Sequence, residues 1–320
     1  MSARMQTNVH EPRMTGQWRS RRERGSSSAI RLIIWLALHA GRGLCRALLV
    51  PISAYFFVTA PLTRRASQQF LGRALGRQAA WRETFMHLLV FATTLLDRVY
   101  LLNGRHRELA IEVNNEAAFW NALALGRGCL LLGSHLGSFE MLGVVGSVEK
   151  KLTINMVMHV DDSAQLGKLI TSAQVALPYK VIPLGQPGSM LRVKECLDRG
   201  EVVGILADRI YADEATASVS FLGSPARFSL SPQRLVRITG APVIAVYGLF
   251  RGGRRYEIVF ESLTPRVEAV RADTGTTTSA AVAANVVSLQ SSLTAYVESL
   301  ERQARRCPYN WFNFYDYWSA

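Results

Sequence analysis

Residues 129–142 read CLLLGSHLGSFEML. A short apolar run ends in Gly133-Ser134, His135 follows, and Glu140 stands five positions further on. The run is brief, continuous and bounded by turn residues, as in a strand buried on both faces. The residues after it fit a helix, predicted over 137–149. A buried strand that passes through a glycine-flanked turn into a helix is the unit of a parallel α/β sheet.

The same alternation recurs downstream. Further strands are predicted at 153–158, 180–184, 202–207, 218–222, 242–249 and 255–261. Helices are predicted at 115–126, 163–176, 188–199, 229–239 and 279–306, with a loop over 271–284 leading into the last of them. Upstream, 62–102 has apolar residues at helical spacing. The expected fold is α/β, with a mixed, largely parallel central sheet flanked by helices and an N-terminal membrane-associated helical segment.

Three parts are expected along the chain. Residues 1–28 carry six arginines against two acids and end in Ser-rich RGSSS, which suits a disordered or membrane-draped terminus. No clear signal-peptide cleavage site follows. Residues 29–61 form the most apolar stretch, interrupted by Arg31, Arg42, Arg46 and Pro51. Three arrangements fit it: one tilted span over about 43–61 with Arg46 snorkelling, a monotopic hairpin or kinked helix in the interface, or a buried core helix. Residues 62–320 form the α/β domain with its helical N-terminal part.

The chain has 320 residues, 49% of them hydrophobic, and a formal charge of +13. This balance implies an anionic partner, either nucleic acid or membrane. With no zinc-finger spacing and no interleaved basic-aromatic stripe, an anionic membrane is expected and nucleic acid is not. The four cysteines are far apart and form no C-x-x-C, so neither a structural zinc site nor an oxidising compartment is expected.

His135 falls just past the first core strand, at the carboxyl edge where α/β sheets place their ligands. Gly133 and Gly137 allow a sharp turn. Glu140, in the next helix, can reach back to fix the imidazole tautomer. G-S-H-L-G has the outline of a nucleophile elbow with histidine in the serine slot. Histidine suits a general base toward an external hydroxyl or amine better than an acyl-enzyme. Ser134 is read as a nucleophile or, more simply, as a turn residue. Backbone N–H groups near 136–138 are candidates for an oxyanion site. The bland alternative for the whole stretch is a buried turn capped by histidine. His87, on an apolar helix stripe, is read as a packing residue.

With these residues in view, the sequence resembles the bacterial lipid A late acyltransferases, the lauroyl/myristoyl-transferase type within the lysophospholipid acyltransferase superfamily. H-x4-D/E is the hallmark, here His135 to Glu140. VVGILADR (202–209), VSFLGSPARF (219–228) and TGAPVIAVYGLFR (239–251) are similar to family segments in the same order, and PYNWFNFYDYW (308–318) resembles the aromatic tail of a related subgroup. The resemblance covers about residues 18–318.

The resemblance implies acyl transfer from an acyl carrier protein or coenzyme A thioester to a hydroxyl or amine of a lipid or glycolipid. It implies no cofactor or metal, and a place at the inner (cytoplasmic) membrane with the site facing the cytoplasm. His135 would be the general base, Glu140 its orienting partner and Asp208 the acidic site residue. Ser134, Gly137, Ser138, His159, Asp208, Arg209 and Arg227 are the substrate-binding candidates, with Arg251 as a further possible phosphate contact. His159 stands where the lipid A enzymes carry an arginine, which leaves a different lipid acceptor open. A thioesterase, or a non-catalytic membrane-binding protein, are the alternatives.

Overall fold

The computed structural model describes residues 35–159, 177, 179–211, 214–263 and 278–319. The basic N-terminus and the helix expected at 163–176 lie outside the described residues.

The seven-stranded sheet has the order β1-β9-β8-β2-β5-β3-β4. Its strands are β1 (Ala110–Asn114), β2 (Cys129–Gly133), β3 (Ile154–His159), β4 (Lys180–Leu184), β5 (Val202–Leu206), β8 (Val243–Phe250) and β9 (Arg255–Ser262). Five strands, β8-β2-β5-β3-β4, run parallel; β9 is antiparallel to β8, and β1 is parallel to β9. A separate antiparallel hairpin pairs β6 (Thr216–Phe221) with β7 (Ser224–Ser229). All five residues of β2 are buried, as expected of a central parallel strand covered on both faces.

The described helices are α1 (Arg42–Thr59), α2 (Pro61–Leu75), α3 (Trp81–Leu102), α4 (Glu116–Leu123), α5 (Glu140–Val144), α6 (Ser189–Asp198), α7 (Ser231–Thr239) and α8 (Thr278–Arg306). The helix expected at 137–149 starts later, because the backbone of 135–138 is bonded to neighbouring backbone instead of into a helix. It then loosens into a π turn over Val145–Glu149. The helix expected at 279–306 is α8, whose first turns take up 278–284, the end of the expected loop. Two strands were not expected. β1 lies at the sheet edge and carries the polar Glu112 and Asn114 in a strand of five, and β7 carries Pro225 and Arg227 on a half-exposed hairpin.

α1 is tied to the α/β domain at its amino end. Arg42 makes two hydrogen bonds to Asp97 of α3, at 2.6 and 2.7 Å, with both side chains buried. Tyr256 donates to the same carboxylate, and Arg42 and Arg46 donate to the Gly253 carbonyl. The buried stripe Arg42, Cys45, Leu49, Ser53 has helical spacing, and α1 packs on α3. Its other face exposes Leu44, Leu48, Val50, Tyr55, Phe56 and Val58. Both α1 and α3 are long and apolar enough to cross a membrane; 56% of the α3 window is buried inside the protein, against 22% for α1.

Candidate active site

β2 and β5 are adjacent and in register, with Gly133 opposite Leu206. The residue two positions past each strand end is therefore delivered at the same level of the sheet. These residues are His135 and Asp208. His135 Nδ1 lies 2.8 Å from Asp208 Oδ1, and the His135 backbone N–H donates to Oδ2 at 2.9 Å. A carboxylate on Nδ1 fixes the Nδ1–H tautomer and leaves Nε2 as the basic nitrogen.

Asp208 is buried, and the C-terminal aromatic segment closes over it. Trp311 Nε1 donates to Oδ2 at 3.0 Å, Asn313 Nδ2 at 2.8 Å, and Tyr317 donates its hydroxyl to the Asp208 carbonyl. Burial pushes the carboxyl up, but the His135 charge and hydrogen bonds and the Arg209 charge outweigh it. The net effect holds Asp208 below its ordinary value. Asn313 also accepts from Arg209 Nε at 2.8 Å.

The turn is fixed by backbone. Gly137 N–H donates to Asn310 O, Ser138 N–H to Gly248 O, and Phe312 N–H to His135 O, all at 2.8 Å. Gly137 has φ +82°, and a Cβ there would lie 2.0 Å from the Gly248 carbonyl oxygen. Glycine is thus required by both conformation and space. These bonds also correct an expectation: the N–H groups of Gly137 and Ser138 are already engaged and do not form an oxyanion site.

A cleft of about 280 Å³ opens beside the histidine. His135, Gly137 and Arg209 line it, together with Arg98 of α3 and the aromatic Phe91, Phe312, Phe314 and Tyr315. Its lining thus combines aromatic rings with two guanidinium groups and an imidazole.

The other candidates fall elsewhere. Glu140 was expected to orient His135, but Asp208 holds that nitrogen, and Glu140 Oε1 lies 2.6 Å from Arg98 Nη2. The physical reason is the 135–138 turn, which delays α5 so that its first residue meets α3. Ser134 is buried and its hydroxyl has no hydrogen-bond partner; Ser138 is buried and its hydroxyl lies 3.4 Å from Glu140 Oε2. His159 ends β3 and stacks on Tyr211, with ring centroids 4.2 Å apart. Arg227 bonds Thr216 across the β6–β7 hairpin, and Arg251 contacts Glu257 and Cys307. None of these six lines the cleft.

His87 accepts from Ser67 at Nδ1 and donates from Nε2 to the Trp311 carbonyl, each at 2.8 Å. Burial lowers its pKa to about 4, so it is a neutral core histidine that steadies the same C-terminal segment.

Sequence reasoning missed Arg98, Trp311 and Asn313. Arg98 carried a signal: Phe91, Leu95 and Arg98 share one face of α3 by spacing, but nothing marked that face as the one turned to the site. Within the aromatic tail Trp311 is fully buried while Phe312, Phe314 and Tyr315 line the cleft, so successive residues divide packing from lining.

The model of the bacterial lipid A biosynthesis acyltransferases matches residues 77–288, about two thirds of the chain. The chain belongs to that family. It is an acyltransferase acting on lipid. Comparison with curated proteins gives no match. The matched region of this lipid A-type acyltransferase holds β1–β9, His135, Glu140 and Asp208. The N-terminal α1 and the aromatic segment that holds Asp208 lie outside it.

Proposed function

We propose that this acyltransferase moves a fatty acyl chain from a thioester of acyl carrier protein or coenzyme A to a hydroxyl or amine of a lipid or glycolipid. His135 Nε2 takes the acceptor proton as the acceptor oxygen or nitrogen bonds to the thioester carbonyl carbon. The carbonyl π electrons move onto oxygen. They return as the C–S bond breaks, and the thiolate leaves with the proton held by the imidazolium. Asp208 keeps the ring in place and stabilises the imidazolium. The aromatic wall of Phe91, Phe312 and Phe314 takes the start of the acyl chain out of water, at about 0.8 kcal/mol per buried methylene.

The observation that carries this reading is the 2.8 Å contact between His135 Nδ1 and Asp208, with the imidazole lining the cleft. Membrane attachment fits the monotopic arrangement better than a span, since α1 is tied to α3 along its buried stripe while its outer face is apolar. The arginine-rich N-terminus suits an anionic inner-membrane surface facing the cytoplasm.

Product analysis tests the function. The enzyme is given dodecanoyl-coenzyme A and dodecanoyl-acyl carrier protein in vesicles of anionic phospholipid and bacterial glycolipid. Mass spectrometry should find a lipid heavier by one dodecanoyl unit. Free dodecanoate as the sole product would assign a thioesterase instead.

A further inference from the structure

The H-x4-E glutamate has a task other than orienting the histidine. His135 Nδ1 and its backbone N–H are both satisfied by Asp208, and the N–H groups of Gly137 and Ser138 by main-chain carbonyls. The turn therefore offers no backbone donor at these three positions to the negative charge that develops on a thioester oxygen. A side chain can supply the donor that this charge needs. Two guanidinium groups line the cleft. Arg209 is bound through Nε to Asn313 and adds its charge to Asp208. Arg98 is placed differently. It stands one turn beyond Leu95 on the cleft face of α3, and Glu140 holds its Nη2 at 2.6 Å. The Arg98 side chain keeps 26% of its surface exposed, so guanidinium N–H groups not spent on Glu140 are open to the cleft.

Resting on the acyl-transfer reading above, we infer that Arg98 is the electrophilic residue that stabilises the oxyanion, and that Glu140 is the positioning residue that holds it. Glu140 fixes one edge of the planar guanidinium and leaves the rest for the substrate oxygen. The two carboxylates thus divide the site: Asp208 serves the base and Glu140 serves the electrophile.

The test uses full-length enzyme in the same vesicles with the two dodecanoyl thioesters, comparing kcat, KM and pH–rate profiles. Arg98→Ala should lower kcat by about 10²–10³-fold with KM little changed. Added guanidinium chloride should restore part of that loss, and Arg98→Lys should retain more activity than Arg98→Ala. Glu140→Gln should lower kcat while leaving the shape of the pH–rate profile as in wild type, and should add little in an Arg98→Ala background. Asp208→Asn should change the profile.

The inference is overturned if Arg98→Ala raises KM at constant kcat, which would make Arg98 a ground-state substrate contact. It is equally overturned if Glu140→Gln changes the pH profile as Asp208→Asn does. His135→Ala separates the two levels. Wild-type turnover in that variant would remove the base, whatever Arg98 does.

Discussion

At the scale of single residues, Asp208 is the most constrained group in the site. It accepts from an imidazole, a backbone amide, an indole and a carboxamide at once. Its folded-state pKa lies below the ordinary carboxylate value near ~3.9. A depressed carboxylate stabilises the fold above the unfolded pKa, and that contribution is lost as pH falls through the folded value. Wild type should therefore lose urea stability below about pH 4, and Asp208→Asn should lack that component of the loss. His87 acts in a different window. Its pKa is lowered to about 4 by burial, so only the unfolded chain takes up its proton between about pH 6.5 and 4. Stability should fall by about 3 kcal/mol as pH drops through that range, and His87→Gln should flatten the slope in urea titrations. The importance of His135 was legible in the sequence from its place after a buried strand. Its partner was not legible from spacing. Glu140 is five positions away in the chain and Asp208 is 73, yet the sheet register joins His135 to the distant one.

At the scale of elements, parallel pairing of β2 with β5 creates the site, and the 308–318 segment secures it. The continuous apolar strands were readable because burial on both faces leaves no polar alternation. β1 and β7 escaped because edge and hairpin strands tolerate polar residues and proline. The 135–138 turn depends on close backbone contact with β8, so Gly137→Ala should cost at least about 1–3 kcal/mol in urea unfolding and reduce turnover. The aromatic tail could be read from composition as packing, but its hydrogen bonds to Asp208 depend on a long-range contact that composition does not encode. Trp311→Phe keeps most of the ring and removes the Nε1 donor to Asp208. It should lower stability by about 1–3 kcal/mol and impair turnover, whereas a purely packing role would leave turnover of the folded fraction unchanged.

At the scale of the whole molecule, an apolar outer helix face, a basic chain and an aromatic-walled cleft suit an enzyme whose acceptor resides in a membrane. Family and reaction class were legible because motifs occur in order along the chain; the proposed interfacial arrangement of α1 draws on the buried Arg42–Asp97 pair, which spacing does not reveal. Arg42→Ala would leave Asp97 buried without its cation and should cost about 3–5 kcal/mol by denaturant titration. Replacing Leu48 and Val58 on the exposed face with glutamate should move the protein from the vesicle pellet to the supernatant at an unchanged melting temperature. Continued sedimentation with vesicles would place the contact elsewhere. The central claim is that His135 is the base of acyl transfer. Its most direct test is the rate of thiol release from a dodecanoyl thioester by His135→Ala, with the fold checked by the same thermal transition. The account predicts a fall of about 10²–10⁴-fold or more in a protein that still folds. A folded His135→Ala enzyme that turns over at the wild-type rate would contradict it.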